Sequence, residues 1–169
     1  MSKSQFGADG HIKNEIQLAD SGYGQGEILL NPVHLMAIYD SFVNDGDIVK
    51  PYLLYEHNAK AQIWKKNVYS KEIANVILND LVQVVQNPEG TGHGAYISGI
   101  TLAGKTGTAE IKSSQQDITG TEVGWFAAVN VDNPNLLVVA MVENAKDKGG
   151  SQYVVPIVKN VFQEVMNGI

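Results

Sequence analysis

The chain has no cysteine among its 169 residues, so a disulfide framework, a thiol nucleophile and a cysteine-ligated metal are all excluded. That absence suits an extracytoplasmic protein as well as a cytoplasmic one. Long apolar runs are missing too. The longest, Leu136 to Val142, falls far short of the ~20 residues that a membrane span requires. The N-terminus carries no apolar core of signal-peptide type, so any export signal or anchor is expected to belong to a longer parent. Basic residues are scarce, 12 against 18 acidic ones, for a net charge of -6 and a pI near 5.1. They are spread along the chain, whereas a nucleic-acid partner calls for clustered cations, so no such partner is expected. His11, His34, His57 and His93 show no short-range ligand spacing, so neither a metal nor a cofactor is expected. There is no internal repeat or low-complexity tract.

The remaining composition, 44% hydrophobic, suits one globular domain with a real core. Residues 1 to 26 are polar and punctuated by Gly7, Gly10, Gly22, Gly24 and Gly26, which predicts loop with a short apolar interlude. A helix is expected from Asn31 as cap, with Pro32 in its first turn. Val33, Leu35, Met36, Ile38, Tyr39 and Phe42 give it a broad buried face, and Asn44-Asp45-Gly46 stops it. Ile48 to Tyr55 and Gln62 to Lys65 read as a hairpin of short strands. Ser70 opens a second helix running to about Gln86, with Ile73, Val76, Ile77, Leu81, Val84 and Val85 as its stripe. Further strands are expected near Leu102 to Ile111, Gly124 to Val131 and Leu136 to Val142. Only Asp132-Asn133-Pro134-Asn135 joins the last two, so that pair must be antiparallel. After Gly149-Gly150 a final helix runs from Ser151 to about Met166. The expected class is α+β: an antiparallel sheet of three core strands plus a small hairpin, packed with helices.

Residues 99 to 110 admit two unrelated chemistries. Gly99-Ile100-Thr101-Leu102-Ala103-Gly104-Lys105-Thr106 satisfies the phosphate-loop pattern letter for letter. That pattern needs a buried strand before it and a helix after it. Here the preceding segment is glycine-rich, the loop interior is apolar without glycine, and Gly107 and Thr108 disfavour the helix. The nucleotide-hydrolase reading therefore stays a distant alternative.

Read as an edge strand lining a groove, the same residues are coherent. Lys105 offers an ammonium to a substrate carboxylate, and Thr106 adds a hydroxyl to the same group. Gly107 leaves room for substrate backbone, and the Thr108 N–H can serve as one oxyanion donor. Lys-Thr-Gly as a bare tripeptide would be no more than a solvent-facing piece of strand, so the wider pattern decides. Val84-Val85, Gly90-Thr91-Gly92, Ala95, Gly99 and Ala103-Gly104-Lys105-Thr106-Gly107-Thr108-Ala109 resemble the penicillin-binding protein transpeptidase domain at matching spacing. Gly22-Tyr23-Gly24-Gln25-Gly26-Glu27 before Asn31-Pro32 also fits that domain, as do Gly124-Trp125-Phe126 and Lys148-Gly149-Gly150. The resemblance covers nearly the whole chain and is closest to low-affinity class B members of Gram-positive bacteria, the methicillin-resistance type.

The resemblance implies cross-linking of peptidoglycan stem peptides through a serine acyl-enzyme, with β-lactams as suicide substrates, in a parent anchored to the cell membrane with this domain outside. The chain departs from the family on one point. The family uses Ser-x-x-Lys and Ser-x-Asn, and serines 2, 4, 21, 41, 70, 98, 113, 114 and 151 fit neither pattern. The expectation is therefore that residues 1–169 are a C-terminal portion of the domain, inactive alone, with the missing N-terminal part of the domain as a partner. A binding module that holds peptide or β-lactam without turnover is the alternative. By family topology the strand over 136–142 is central, so here its outer edge would be open and prone to self-association. Glu110 is a candidate groove-rim residue, and Gly149, Gly150 and Ser151 a candidate opposite wall, with Ser151 equally readable as a helix cap. His93 is expected on a surface loop, and Trp64 and Trp125 in packing roles.

Overall fold

The glycine-punctuated N-terminus, expected to be loop, contains a short helix and a two-residue ladder. The structure is a computed structural model and describes every residue except 1, 2, 8, 55, 56, 113–115 and 169. Strand β1 (Gln5–Phe6) pairs antiparallel with β2 (Ile28–Leu29), and between them lies helix α1 (Glu15–Gly22). The Asn14 side chain accepts the Gln17 N–H at 2.8 Å and so caps that helix. No residue of α1 is buried, and Ile16 and Leu18 are exposed. The cap was readable in the sequence, but there was no apolar stripe to find. Asn31 caps α2 (Pro32–Val43) as expected, accepting the Val33 N–H at 2.9 Å. Residues 1–35 and 36–169 form two units, with the boundary falling inside α2.

In the second unit, β3 (Ile48–Val49) and β4 (Ile63–Lys65) form the expected hairpin, shorter than predicted and with a register shift. Pro51 explains the shortening, because proline has no N–H for the ladder. Beyond it Leu53 and Leu54 are exposed, and Tyr55, the predicted strand end, lies outside the described residues. Helix α3 (Lys71–Gln86) is capped by Ser70, whose hydroxyl accepts the Ile73 N–H. Its buried residues are Ala74, Leu81 and Val85. Ile73 and Val76, expected in the stripe, are exposed instead, so the packed face begins at Ala74. After the 90–92 loop comes a 3-10 turn, His93–Ala95.

Three strands make the main sheet in the order β5 (Leu102–Ile111), β6 (Thr121–Asn130), β7 (Leu137–Val142), all antiparallel. Strand β6 starts three residues earlier than the sequence suggested. A second 3-10 turn, Lys146–Lys148, precedes helix α4 (Ser151–Asn167). Gly150, not Ser151, occupies the cap position of α4, and Ser151 is buried in the first turn.

Strand alternation puts the two faces of β5 into different cores. Leu102 joins Phe126, Ala128, Val154, Val155, Val158 and Phe162 on the α4 side. Ala103 joins Val129, Leu81 and Phe42 on the α2–α3 side. The fold class is thus the α+β arrangement expected. Among the described residues, neither β5 nor β7 has a strand partner on its outer edge.

Candidate functional site

Lys105 and Gly107 face the α2–α3 side of β5, cross-strand from Ala127 and Trp125. Lys105 is exposed, and its Nζ donates to the Thr106 carbonyl oxygen at 2.7 Å. All 12 basic residues of the chain are lysines, so no guanidinium exists to clamp a carboxylate with two parallel bonds. An ammonium on an open strand edge is the cation this fold offers there.

The two motif glycines differ in kind. A Cβ at Gly104 would lie 2.9 Å from both the Ala127 carbonyl oxygen and Phe126 Cζ, so packing excludes a side chain at that position. A Cβ at Gly107 would meet only Trp125 Cβ, at 3.6 Å, an ordinary contact. The fold does not need glycine at 107. What the missing side chain preserves is open surface beside Lys105.

Thr106 points to the other face and is 8% exposed. Its hydroxyl is 2.8 Å from that of Thr91, a residue the sequence presents only as the middle of Gly90-Thr91-Gly92. Thr108 shares that face, and its Oγ1 accepts the Ser151 N–H at 3.2 Å. The structure therefore brings the Gly149-Gly150-Ser151 turn against the end of the motif. Gly150 adopts φ 62° and ψ -127°, and a Cβ on it would sit 2.8 Å from Thr108 Oγ1. Gly124 of β6 is equally constrained, since its Cβ would lie 2.4 Å from the Gly150 carbonyl oxygen. Gln152 Nε2 donates to the Thr91 carbonyl at 2.8 Å, joining α4 to the 90–92 loop. Thr91 and Gly124 stand in motifs that the sequence shows, but their roles, like that of Gln152, depend on contacts 15 to 61 positions away.

Other candidates sit apart. Glu110 is exposed and ion-paired to Lys112, further along the strand. His93 is not a surface ring: it is half-buried, Nδ1 lies 2.9 Å from the Val85 carbonyl oxygen, and the ring stacks on Tyr96. Trp125 is half-buried as expected, whereas Trp64 is 49% exposed. Lys105 and Thr106, which a phosphate loop would place before a helix, lie within a strand, and the strands around them run antiparallel. That removes the nucleotide reading. Among the described residues no helix is long and apolar enough to cross a membrane.

Comparison with known proteins agrees with the fold. Residues 2–163 match the family model of the penicillin binding protein transpeptidase domain. Penicillin-binding protein 3 of Bacillus subtilis is 45% identical over 156 residues, 92% of this chain and 23% of that protein. The peptidoglycan D,D-transpeptidase FtsI of Buchnera aphidicola is 30% identical over 151 residues, 86% of this chain and 25% of that protein. The chain thus spans about a quarter of the length of these relatives. The solved transpeptidase domain of Burkholderia pseudomallei penicillin-binding protein 3 superposes with a TM-score of 0.71 at 21% identity, over 89% of this chain and 47% of that one.

The glycine contrast is directly testable by urea unfolding. Gly104→Ala should cost about 1–3 kcal/mol, the usual penalty of forcing an atom into packed space, and Gly124→Ala at least as much. Gly107→Ala should stay within about 0.5 kcal/mol of the parent, as surface changes do. A Gly107→Ala loss equal to that of Gly104→Ala would make residue 107 a packing position like its neighbour.

Proposed function

The chain belongs to the penicillin-binding protein transpeptidase family, and from that premise we propose that it is the C-terminal portion of a class B peptidoglycan D,D-transpeptidase domain that carries the substrate-docking strand without the nucleophile. The observation that carries this reading is the pairing of an exposed Lys105 with a Gly107 whose missing side chain the fold does not require. A substrate or β-lactam carboxylate docks at the open edge of β5, where Lys105 reaches it from one face and the Thr106 hydroxyl from the other, the ligand backbone lies along that edge past Gly107, and the Thr108 N–H faces the carbonyl under attack. Glu110 stands at the rim, and the Gly149–Ser151 turn forms the wall beyond Thr108. In the intact protein the domain lies outside the cell membrane, with anchor and nucleophile supplied by the rest of the polypeptide.

Acylation requires a hydroxyl activated by an adjacent base, and no serine here has lysine three residues on. The nucleophile must come from the preceding part of the domain. Two surfaces of the larger unit support that assignment. The outer edge of β7 is unpaired by any described strand, and the strand has neither charge nor proline to blunt it. On α4, Ile157, Val161 and Val165 recur every four residues at 41%, 37% and 38% exposure, a second apolar stripe beside the buried one. A strand and a helix from the preceding half would cover both.

In isolation the same edge recruits a second copy. Sedimentation equilibrium should give a mass that rises with protein concentration, and Val139→Pro, placed in that edge strand, should lower the association; a strictly monomeric chain throughout would contradict an open edge. Incubation with benzylpenicillin should leave the mass of the isolated chain unchanged. In the full-length parent, Lys105→Ala should slow acylation roughly ten- to a hundredfold, the worth of one charge-assisted hydrogen bond, with little change in Tm. A penicilloyl adduct on any serine of this chain would overturn the proposal, and unaltered acylation with a lowered Tm would make Lys105 a structural residue.

A further inference from the structure

Thr106 can serve a carboxylate only if its proton is available. A hydroxyl has one proton to donate and two lone pairs to accept with, and a carboxylate can only accept. In this structure Thr106 Oγ1 lies 2.8 Å from Thr91 Oγ1, and either atom can be the donor. Were Thr106 to donate to Thr91, its proton would be taken. With Thr91 as donor, Thr106 accepts on one side and gives its proton on the other, and each bond in such a chain polarises the next.

Thr91 is held in place from several directions. A Cβ at Gly90 would lie 2.2 Å from the Val84 carbonyl oxygen, and one at Gly92 would lie 3.1 Å from both Phe126 Cε2 and Val84 Cγ1. The two flanking glycines therefore let the loop lie flat against the end of α3. The Gly92 N–H donates to that same Val84 carbonyl at 3.0 Å. From the other side Gln152 Nε2 donates to the Thr91 carbonyl at 2.8 Å. Its backbone pinned by α3 and by the first turn of α4, Thr91 presents its hydroxyl to a Thr106 that is itself only 8% exposed.

We infer that Thr91 is a positioning residue for carboxylate recognition: its hydroxyl donates to Thr106 Oγ1 and so holds the Thr106 proton ready for the ligand. This rests on the proposed reading of Lys105 and Thr106 as the carboxylate-docking pair. Thr91 itself touches no ligand. Its effect should therefore appear only with ligands that carry a carboxylate.

The test uses the full-length parent protein and two probes, benzylpenicillin and its methyl ester, in which the carboxylate charge is removed and its oxygen is capped by a methyl group. Thr91→Val, which keeps the shape and removes the hydroxyl, should slow acylation by benzylpenicillin roughly three- to tenfold, the net worth of one neutral hydrogen bond. It should leave the rate with the methyl ester unchanged. Thr91→Ser should restore the benzylpenicillin rate to within about twofold, again because one neutral hydrogen bond is all that is at stake. Thr91→Ala is the second variant should valine not be accommodated in the loop, and it should show the same ligand dependence. Equal loss with both probes would overturn the inference and mark Thr91 as structural, and so would no loss with either. Lys105→Ala serves as the control. If it separates the two probes and the Thr91 variants do not, the role of Thr91 falls alone; if it also fails to separate them, the carboxylate-docking reading falls with it.

Discussion

The antiparallel ladder between β5 and β6, from Leu102 opposite Asn130 to Ile111 opposite Thr121, is the interaction on which the larger unit depends. Among the described residues it secures β5 from one side only, so that the other edge of the motif strand has no strand partner while its register is still determined. Because side chains alternate along a strand, that register sends Leu102 into the core under α4 and Ala103 into the core under α2 and α3. A slip of one residue would bury the Lys105 ammonium and expose the Thr106 hydroxyl. The fully buried Phe126 and Phe162 enforce the register from the α4 side, and truncation of such residues costs about 3–5 kcal/mol.

A second constraint acts through absent side chains. Gly104, Gly124 and Gly150 each sit where a Cβ would strike backbone or a neighbouring side chain within 3 Å. These close approaches let the 149–151 turn press against Thr108 and let β5 lie tightly on β6. Gly107 belongs to the same strand but not to this group. The strand thus holds glycines that packing requires beside one that packing does not, and the proposed docking function gives the latter its reason.

Much of this was legible in the sequence, for identifiable reasons. The helices α2 and α3 carried side-chain caps at Asn31 and Ser70, and β6 and β7 carried apolar stretches separated by a turn too short for anything but a hairpin. Helix α1 escaped because it buries nothing and so has no periodic stripe. The β3–β4 hairpin is shorter than its apolar pattern suggests because Pro51 ends the ladder. Ser151 is equally readable in the sequence as groove wall or as cap, since serine prefers the cap position; in the structure its N–H bonds Thr108, it lies in the first turn, and Gly150 holds the cap. At the site, Lys105 and Gly107 were visible through their motif. The roles of Thr91, Gly124 and Gln152 were not, since what makes them matter is a distance in space between residues remote in sequence.

In the proposed function, this chain holds the docking strand of a transpeptidase domain whose nucleophile lies on a preceding half. Co-expression of the chain with that half, the two unlinked, followed by labelling with a fluorescent penicillin and denaturing electrophoresis, addresses the claim directly. A labelled band is expected at the mass of the preceding half, present only when this chain is co-expressed and lost when Lys105 is replaced by alanine. A labelled band at the mass of this chain, or equal labelling of the preceding half without it, would contradict the account.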